Sequence, residues 1–155
     1  MIRPATPGDV AEIHELVCDL AEYEKLRDTV VSTPADFQEA LFGNSPKAEA
    51  LVADVPNHDA SEGTPRLAGM AIFFSTFSTF TGKSGLWLED VFVRPEFRGQ
   101  GVGKAFLTEI LAIARKRKCA RAEWSVLDWN TPAIEFYEAL GATVMPDWRI
   151  TRVAL

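Results

Sequence analysis

Cysteine is scarce in this chain of 155 residues: Cys18 and Cys119 each stand alone, with neither the CxxC spacing of a zinc or redox site nor the number a disulfide framework needs. A reduced compartment is the simpler reading. Histidine is as rare. His14 lies in an acidic amphipathic segment and His58 in a polar loop, so both read as surface residues and no metal cluster is expected. Long hydrophobic runs are missing too, since every apolar stretch falls far short of the roughly 18 residues that span a bilayer. Met1-Ile2-Arg3-Pro4-Ala5 lacks the apolar region of a signal peptide, which makes the cytoplasm the expected location and leaves no membrane partner. Positive charge is in deficit: 16 basic against 22 acidic residues give a net charge of −6. That balance argues against nucleic-acid binding and favours small cationic partners. The one basic run, Arg115 to Lys118, suits the negative end of a helix dipole.

What is present is ordinary globular usage, 47% hydrophobic and 25% charged, at a length that matches one domain over residues 1–155. Thr6-Pro7-Gly8-Asp9 reads as a capping box with Pro at the first helical position. Val10, Ile13, Leu16, Val17 and Leu20 form the buried stripe of the helix that follows, to about Leu26. Glu12, Glu15, Asp19 and Glu22 form its solvated face. Thr33-Pro34-Ala35-Asp36 opens a second helix ending at Gly43. Ala48 to Val55 is strand-like, Pro56 to Pro65 is an insertion loop, and Leu67 to Phe80 and Leu86 to Val93 form a hairpin across Thr81 to Gly85. A helix runs from Gly103 to Lys118, a strand covers Arg121 to Val126, and a helix runs from Thr131-Pro132 to Gly141. Ala142 to Met145 and Trp148 to Val153 alternate like closing strands. The order predicts an α/β fold: a mixed, mostly antiparallel sheet of about six to seven strands flanked by about four helices.

Three constellations carry chemistry. Arg98-Gly99-Gln100-Gly101-Val102-Gly103-Lys104 joins a strand to a long helix, and its glycines let backbone N–H groups surround a phosphate or pyrophosphate. It fits neither GxGxxG nor GxxxxGK[ST], which disfavours dinucleotide and kinase-type readings. Glu89-Asp90 interrupts the apolar run Leu86 to Val93. Strand alternation points at most one of the two at a given cleft, and Glu89 reads either as a functional carboxylate or as one paired with Arg94 or Arg98. Asp128 to Tyr137 forms a polar turn and a helix, where Tyr137 is either a packing aromatic beside Ile134 and Leu140 or a proton donor.

Together the strand Leu86 to Val93, the turn Arg98 to Gly103, and Asn130 to Tyr137 before Leu140-Gly141-Ala142 resemble the GNAT superfamily of N-acetyltransferases, whose signature is R/Q-x-x-G-x-G/A. Leu20-Ala21-Glu22-Tyr23-Glu24, Leu88 to Val93 and Trp129 to Tyr137 are similar to the diamine (spermidine/spermine) and thialysine N-acetyltransferases. The resemblance implies a GNAT-like fold and acetyl-CoA as cosubstrate. Val91, Phe92 and Val93 would lie beside the pantetheine, Arg98, Gly99, Gln100, Gly101, Val102, Gly103 and Lys104 around the pyrophosphate, and Asn130 and Ala133 close by. By the same resemblance Tyr137 would protonate the leaving thiolate and Glu89 would bind and deprotonate the amine. Tyr23, Glu24, Glu123, Trp124 and Ser125 would line the acceptor pocket of a homodimer. The implied reaction is direct transfer in a ternary complex to a small cationic amine, without metal. The segment Thr143 to Asp147 is shorter and less acidic than in polyamine-acetylating members, and the chain ends without their longer tail. A shorter diamine, thialysine or another lysine-like amine is therefore the expected acceptor, with a peptide or protein amino group or a catalytically silent acyl-CoA-binding module as alternatives.

Overall fold

The computed structural model describes residues 1–56 and 66–154. His58 and all but the first residue of the expected insertion loop lie outside them. The chain forms two compact units, Met1–Trp124 and Ser125–Leu155.

In the first unit five strands form one sheet in the order β1-β2-β3-β4-β5: Ile2–Pro4, Glu49–Asp54, Leu67–Ser78, Lys83–Val93 and Ala122–Trp124. The first four are antiparallel neighbours and β5 is parallel to β4. Helices α1 (Val10–Tyr23) and α2 (Pro34–Phe42) cover one face. Ile13, Leu16 and Leu41 pack there on Val52, Leu67, Met70, Ile72 and Phe92. Helix α3 (Val102–Lys116) takes the other face through Phe106, Leu107 and Ile110, all fully buried. A Cβ at Gly69 would meet Phe92 O and the Phe106 ring, so the sheet and α3 approach closely there.

Both helix starts predicted from capping boxes form. Asp9 accepts from Thr6 N and Oγ1 at 2.8 and 2.7 Å, and its carboxylate is bound by Arg3 at 2.8 Å. Thr33 Oγ1 accepts from Asp36 N, and Asp36 accepts from Thr33 N. The stripe expected to be merely solvated is in fact tied down: Glu12 accepts from Leu67 N at 2.7 Å and Asp19 pairs with Arg94 at 2.7 Å. His14 is half-buried rather than on the surface, its Nε2 on Ser32 O at 2.8 Å and its ring edge-on to Phe37. An imidazole at that position fills the gap between α1 and the chain entering α2.

The second unit holds α4, Thr131–Ala139. The strands expected over 142–145 and 148–153 are absent, so the sheet has five strands rather than six or seven. Trp148, Ile150 and Val153 are 73%, 71% and 81% exposed, and no strand lies within 125–154 for either segment to pair with. Alternation alone does not hold a strand whose backbone finds no ladder.

Candidate active site

Strand β4 changes character at Glu89. Leu88 lies opposite Phe73 and Asp90 opposite Ile72, which leaves Glu89 as the extra residue of a β-bulge. Phe73 and Ile72 face opposite sides of the sheet, so Leu88 and Asp90 do as well, although simple alternation puts both on one side. The bulge thus turns Asp90 to the α1 and α2 face, together with Phe92. Glu89 accepts from the Trp87 indole Nε1 at 2.7 Å. The alternative pairing of Glu89 with Arg94 or Arg98 does not occur among the described residues: Arg94 is held by Asp19 and Arg98 Nε donates to Val93 O.

The bulge therefore gathers carboxylates where alternation would have separated them. Burial pushes the Asp90 carboxyl up to about 6, and the charges of Glu89 and Glu24 push it the same way. Burial raises Glu24, at the C-terminal end of α1, as well. Glu123 lies beside Trp87 in the parallel β4–β5 register and pairs with Arg121 at 2.7 Å. Trp124 pairs with Leu88 in the same register. A half-buried carboxylate that joins no ion pair among the described residues and is pushed up to about 6 is suited to receive a cation and a proton. Asp90 is a candidate that sequence reasoning passed over in favour of Glu89. The visible signal was the pair of carboxylates in an apolar strand.

Beyond the bulge β4 has an open edge. Pairing with β5 ends at Leu88–Trp124, while pairing with β3 continues to Val93. Arg94 N donates to Ala68 O, so the backbone groups of Phe92 and Arg94 turn toward β3 and those of Val91 and Val93 turn outward. The glycine loop follows. Gly99 and Gly101 have φ of 73° and 81°, a region that L side chains rarely adopt. The first bond into α3 is Ala105 N to Gly101 O, and no side chain caps the helix. Among the described residues nothing accepts from the N–H groups of Gly99, Gln100, Gly101, Val102, Gly103 and Lys104. Such a run at the positive end of a 15-residue helix is an anion cradle.

Tyr23 closes α1, with the Arg98 guanidinium 5.1 Å from its ring centroid. In the second unit, Asn130 is buried and its Oδ1 has no hydrogen-bond partner, while its backbone carbonyl accepts from Ala133 N and Ile134 N at 3.0 and 3.1 Å. A buried acceptor left empty fits a ligand N–H. Tyr137 is half-buried on α4, its ring 5.4 Å from that of Phe136, and Ser125 is exposed. Among the described residues no cluster of three or more metal-binding side chains occurs.

Comparison with known proteins gives the family. The family described as Acetyltransferase (GNAT) family matches residues 9–142. A thialysine N-epsilon-acetyltransferase of Bos taurus is 37% identical over 92% of this chain and 83% of its own length. The L-ornithine N5-acetyltransferase NATA1 of Arabidopsis thaliana is 34% identical over 98% and 83%. Among solved structures, a ribosomal-protein-alanine N-acetyltransferase from Brucella melitensis biovar Abortus 2308 shares the fold with a TM-score of 0.72 at 22% identity, covering 100% of this chain and 99% of that one. By its family match and its relatives, this chain is an acetyltransferase and belongs to the GNAT family.

Proposed function

We propose that the chain acts as a single domain that transfers the acetyl group of acetyl-CoA to the primary amine of a small cationic substrate, directly and within a ternary complex. The observation that carries this reading is the run of unpartnered N–H groups from Gly99 to Lys104, which follows the open edge of β4, the strand that carries the Glu89 and Asp90 carboxylates. The cradle suits a pyrophosphate, the outward groups of Val91 and Val93 suit the amides of a pantetheine arm, and the empty Asn130 Oδ1 suits an amide N–H. When bound, acetyl-CoA supplies an activated thioester.

The residues then divide the work. An aliphatic amine with a pKa near 10.4 is about 0.1% free base or less at neutral pH, so its proton must be taken. The Glu89 and Asp90 carboxylates attract the ammonium, and Asp90, raised by its burial, accepts that proton. Glu24 and Glu123 add negative field, and Tyr23 and Trp124 supply apolar walls. Tyr137 holds a proton for the departing thiolate. Direct transfer of this kind uses neither a protein nucleophile nor a metal. The chain also acts as a homodimer, in the cytoplasm, in this reading; among the described residues no helix is long and apolar enough to cross a membrane.

The test is release of free CoA from acetyl-CoA against putrescine, spermidine, spermine, thialysine, lysine, an aminoglycoside and short peptides. Preferential turnover of one small amine is expected, with Tyr137→Phe lowering kcat at least tenfold and leaving acetyl-CoA affinity nearly as it was. Acetyl-CoA binding without turnover of any acceptor would make the chain a silent acyl-CoA-binding module instead.

A further inference from the structure

Glu89, the extra residue of the β4 bulge, has no opposite number on β3, and its side chain is exposed. An exposed glutamate ordinarily samples many rotamers. This one is tethered: the Trp87 indole Nε1 donates to its Oε2 at 2.7 Å. The anchor is itself fixed. Trp87 is half-buried on a strand with neighbours on both sides, opposite Phe74 on β3 and level with Glu123 on β5. Phe74 and Ile72 lie two apart on β3 and share a face, so their partners Trp87 and Asp90 share it too, although three residues separate them on β4. The bulge thus brings the indole, the carboxylate it holds and Asp90 into one neighbourhood, and Asp90 feels the charge of Glu89.

The kind of donor matters. Other oriented carboxylates of this unit are held by arginines: Glu123 by Arg121 at 2.7 Å, Asp19 by Arg94 at 2.7 Å and Glu49 by Arg117 at 2.6 Å. Each is thereby neutralised. Glu89 joins no ion pair among the described residues, and an indole N–H is a neutral donor that can neither supply a counter-charge nor take a proton. The tether fixes the direction of the carboxylate, leaves its charge intact and occupies only Oε2. An oriented anion with one oxygen open is suited to an ammonium, because no ion pair has to be broken before the amine binds.

Resting on the transferase reading, we propose that Trp87 is a positioning residue for the acceptor: its indole N–H holds the Glu89 carboxylate at the bulge, so that the ammonium meets an aimed, uncompensated anion beside Asp90. Trp87 acts through Glu89 and touches neither the cofactor nor the reacting atoms. Its removal should therefore be felt in amine binding, and only while Glu89 is there to be aimed.

The experiment measures kcat/KM for the best acceptor of the amine panel at saturating acetyl-CoA in Trp87→Phe, Glu89→Gln and the double variant. Trp87→Phe, which keeps an aromatic ring, should lower kcat/KM about tenfold, mostly through a higher KM for the amine, with the KM for acetyl-CoA within about twofold of the unaltered protein. In the Glu89→Gln background the same change should cost less than about twofold. A packing role would instead lower kcat/KM equally in both backgrounds, and that result overturns the proposal, as does a Trp87→Phe protein as active as the unaltered one. The tether is read separately from turnover, and without altering Trp87, by the assigned indole N–H resonance of Trp87 in the full chain. Its exchange with solvent should quicken about tenfold in Glu89→Ala. Unchanged exchange overturns the proposal even if Trp87→Phe fails to fold. If no amine is acetylated while the exchange does quicken, the tether stands as structure, but the transferase reading fails and the positioning role goes with it.

Discussion

The two ends of the sheet treat the same physical problems in opposite ways. At the β1 end every exposed liability is covered. Asp9, 1% exposed, is bound by Arg3 and Thr6, and the 3₁₀ turn leading into α1 and the N-terminus of α2 are closed by capping boxes. At the β4 end the corresponding groups are left open. Among the described residues Asp90 is half-buried near carboxylates and joins no ion pair, the ladder to β5 stops at Leu88, and α3 begins at a glycine with no side-chain cap. Unpaired buried charge and orphaned N–H groups each weaken a fold. Their concentration on one edge marks a surface built for a ligand rather than for stability.

Replacing Asp90 tests that contrast most severely. Asp90→Asn should lower kcat/KM about a hundredfold or more if its carboxylate receives the amine and its proton. The same change should stabilise the fold at neutral pH by on the order of 2 kcal/mol, because the native carboxyl titrates near 6 and the unfolded one near 4. The sign follows from proton uptake: between about pH 4 and 6 the native state binds more protons than the unfolded state, so stability falls as pH rises through that window. Thermal melts at pH 8 and pH 4 check this. The Tm gain should be present at pH 8 and largely gone at pH 4. A variant that loses activity without gaining stability at pH 8 would mean that Asp90 is satisfied in the folded protein.

The opposite carboxylate should behave as the mirror image. The Arg3 guanidinium holds the Asp9 carboxyl well below the usual range, so its contribution is present above about pH 4 and is lost as pH falls below that. Asp9→Asn should destabilise the fold by about 3 kcal/mol at pH 7, since it leaves Arg3 with only Asp54. Denaturant melts should show the difference from the unaltered protein shrinking in acid. Initial rates below the melting transition should keep kcat/KM within about twofold, because Asp9 stabilises the sheet edge remote from the acceptor.

How much of this was legible in the sequence follows from the range of each interaction. Thr6 to Asp9 and Thr33 to Asp36 could be read as caps because every partner lies within three residues, and the glycine density of Gly99 to Gly103 announced the cradle for the same reason. The bulge at Glu89 could not be read so. No glycine marks it, and it exists only because of how Ile72 and Phe73 pair across from β4, so parity on one strand misplaced Asp90. The reach of Arg98 to Tyr23, and the claims of Leu67 N on Glu12 and of Arg94 on Asp19, span dozens of residues and carry no local signal. The pattern over 142–153 was legible as alternation, yet alternation describes which faces differ and says nothing about whether a neighbouring strand is there.

The helix starts themselves provide the finest comparison. Thr33→Ala removes a cap at α2 and should cost about 1 kcal/mol of stability, with no change in acetyl-CoA affinity. Gly101→Ala places a Cβ at φ 81°, where it meets no atom within 4 Å but the backbone itself is strained. The expected cost is of similar size, about 1–2 kcal/mol, yet it arises from conformation rather than from a lost bond. Relaxing that strain turns the N–H groups of the loop away from their common centre, so acetyl-CoA binding by calorimetry should weaken severalfold in Gly101→Ala and stay level in Thr33→Ala. Equal stability losses with unequal ligand losses would separate a helix start that serves the fold from one held open for an anion. If both variants bound acetyl-CoA as the unaltered protein does, the α3 N-terminus would lose its place in the site.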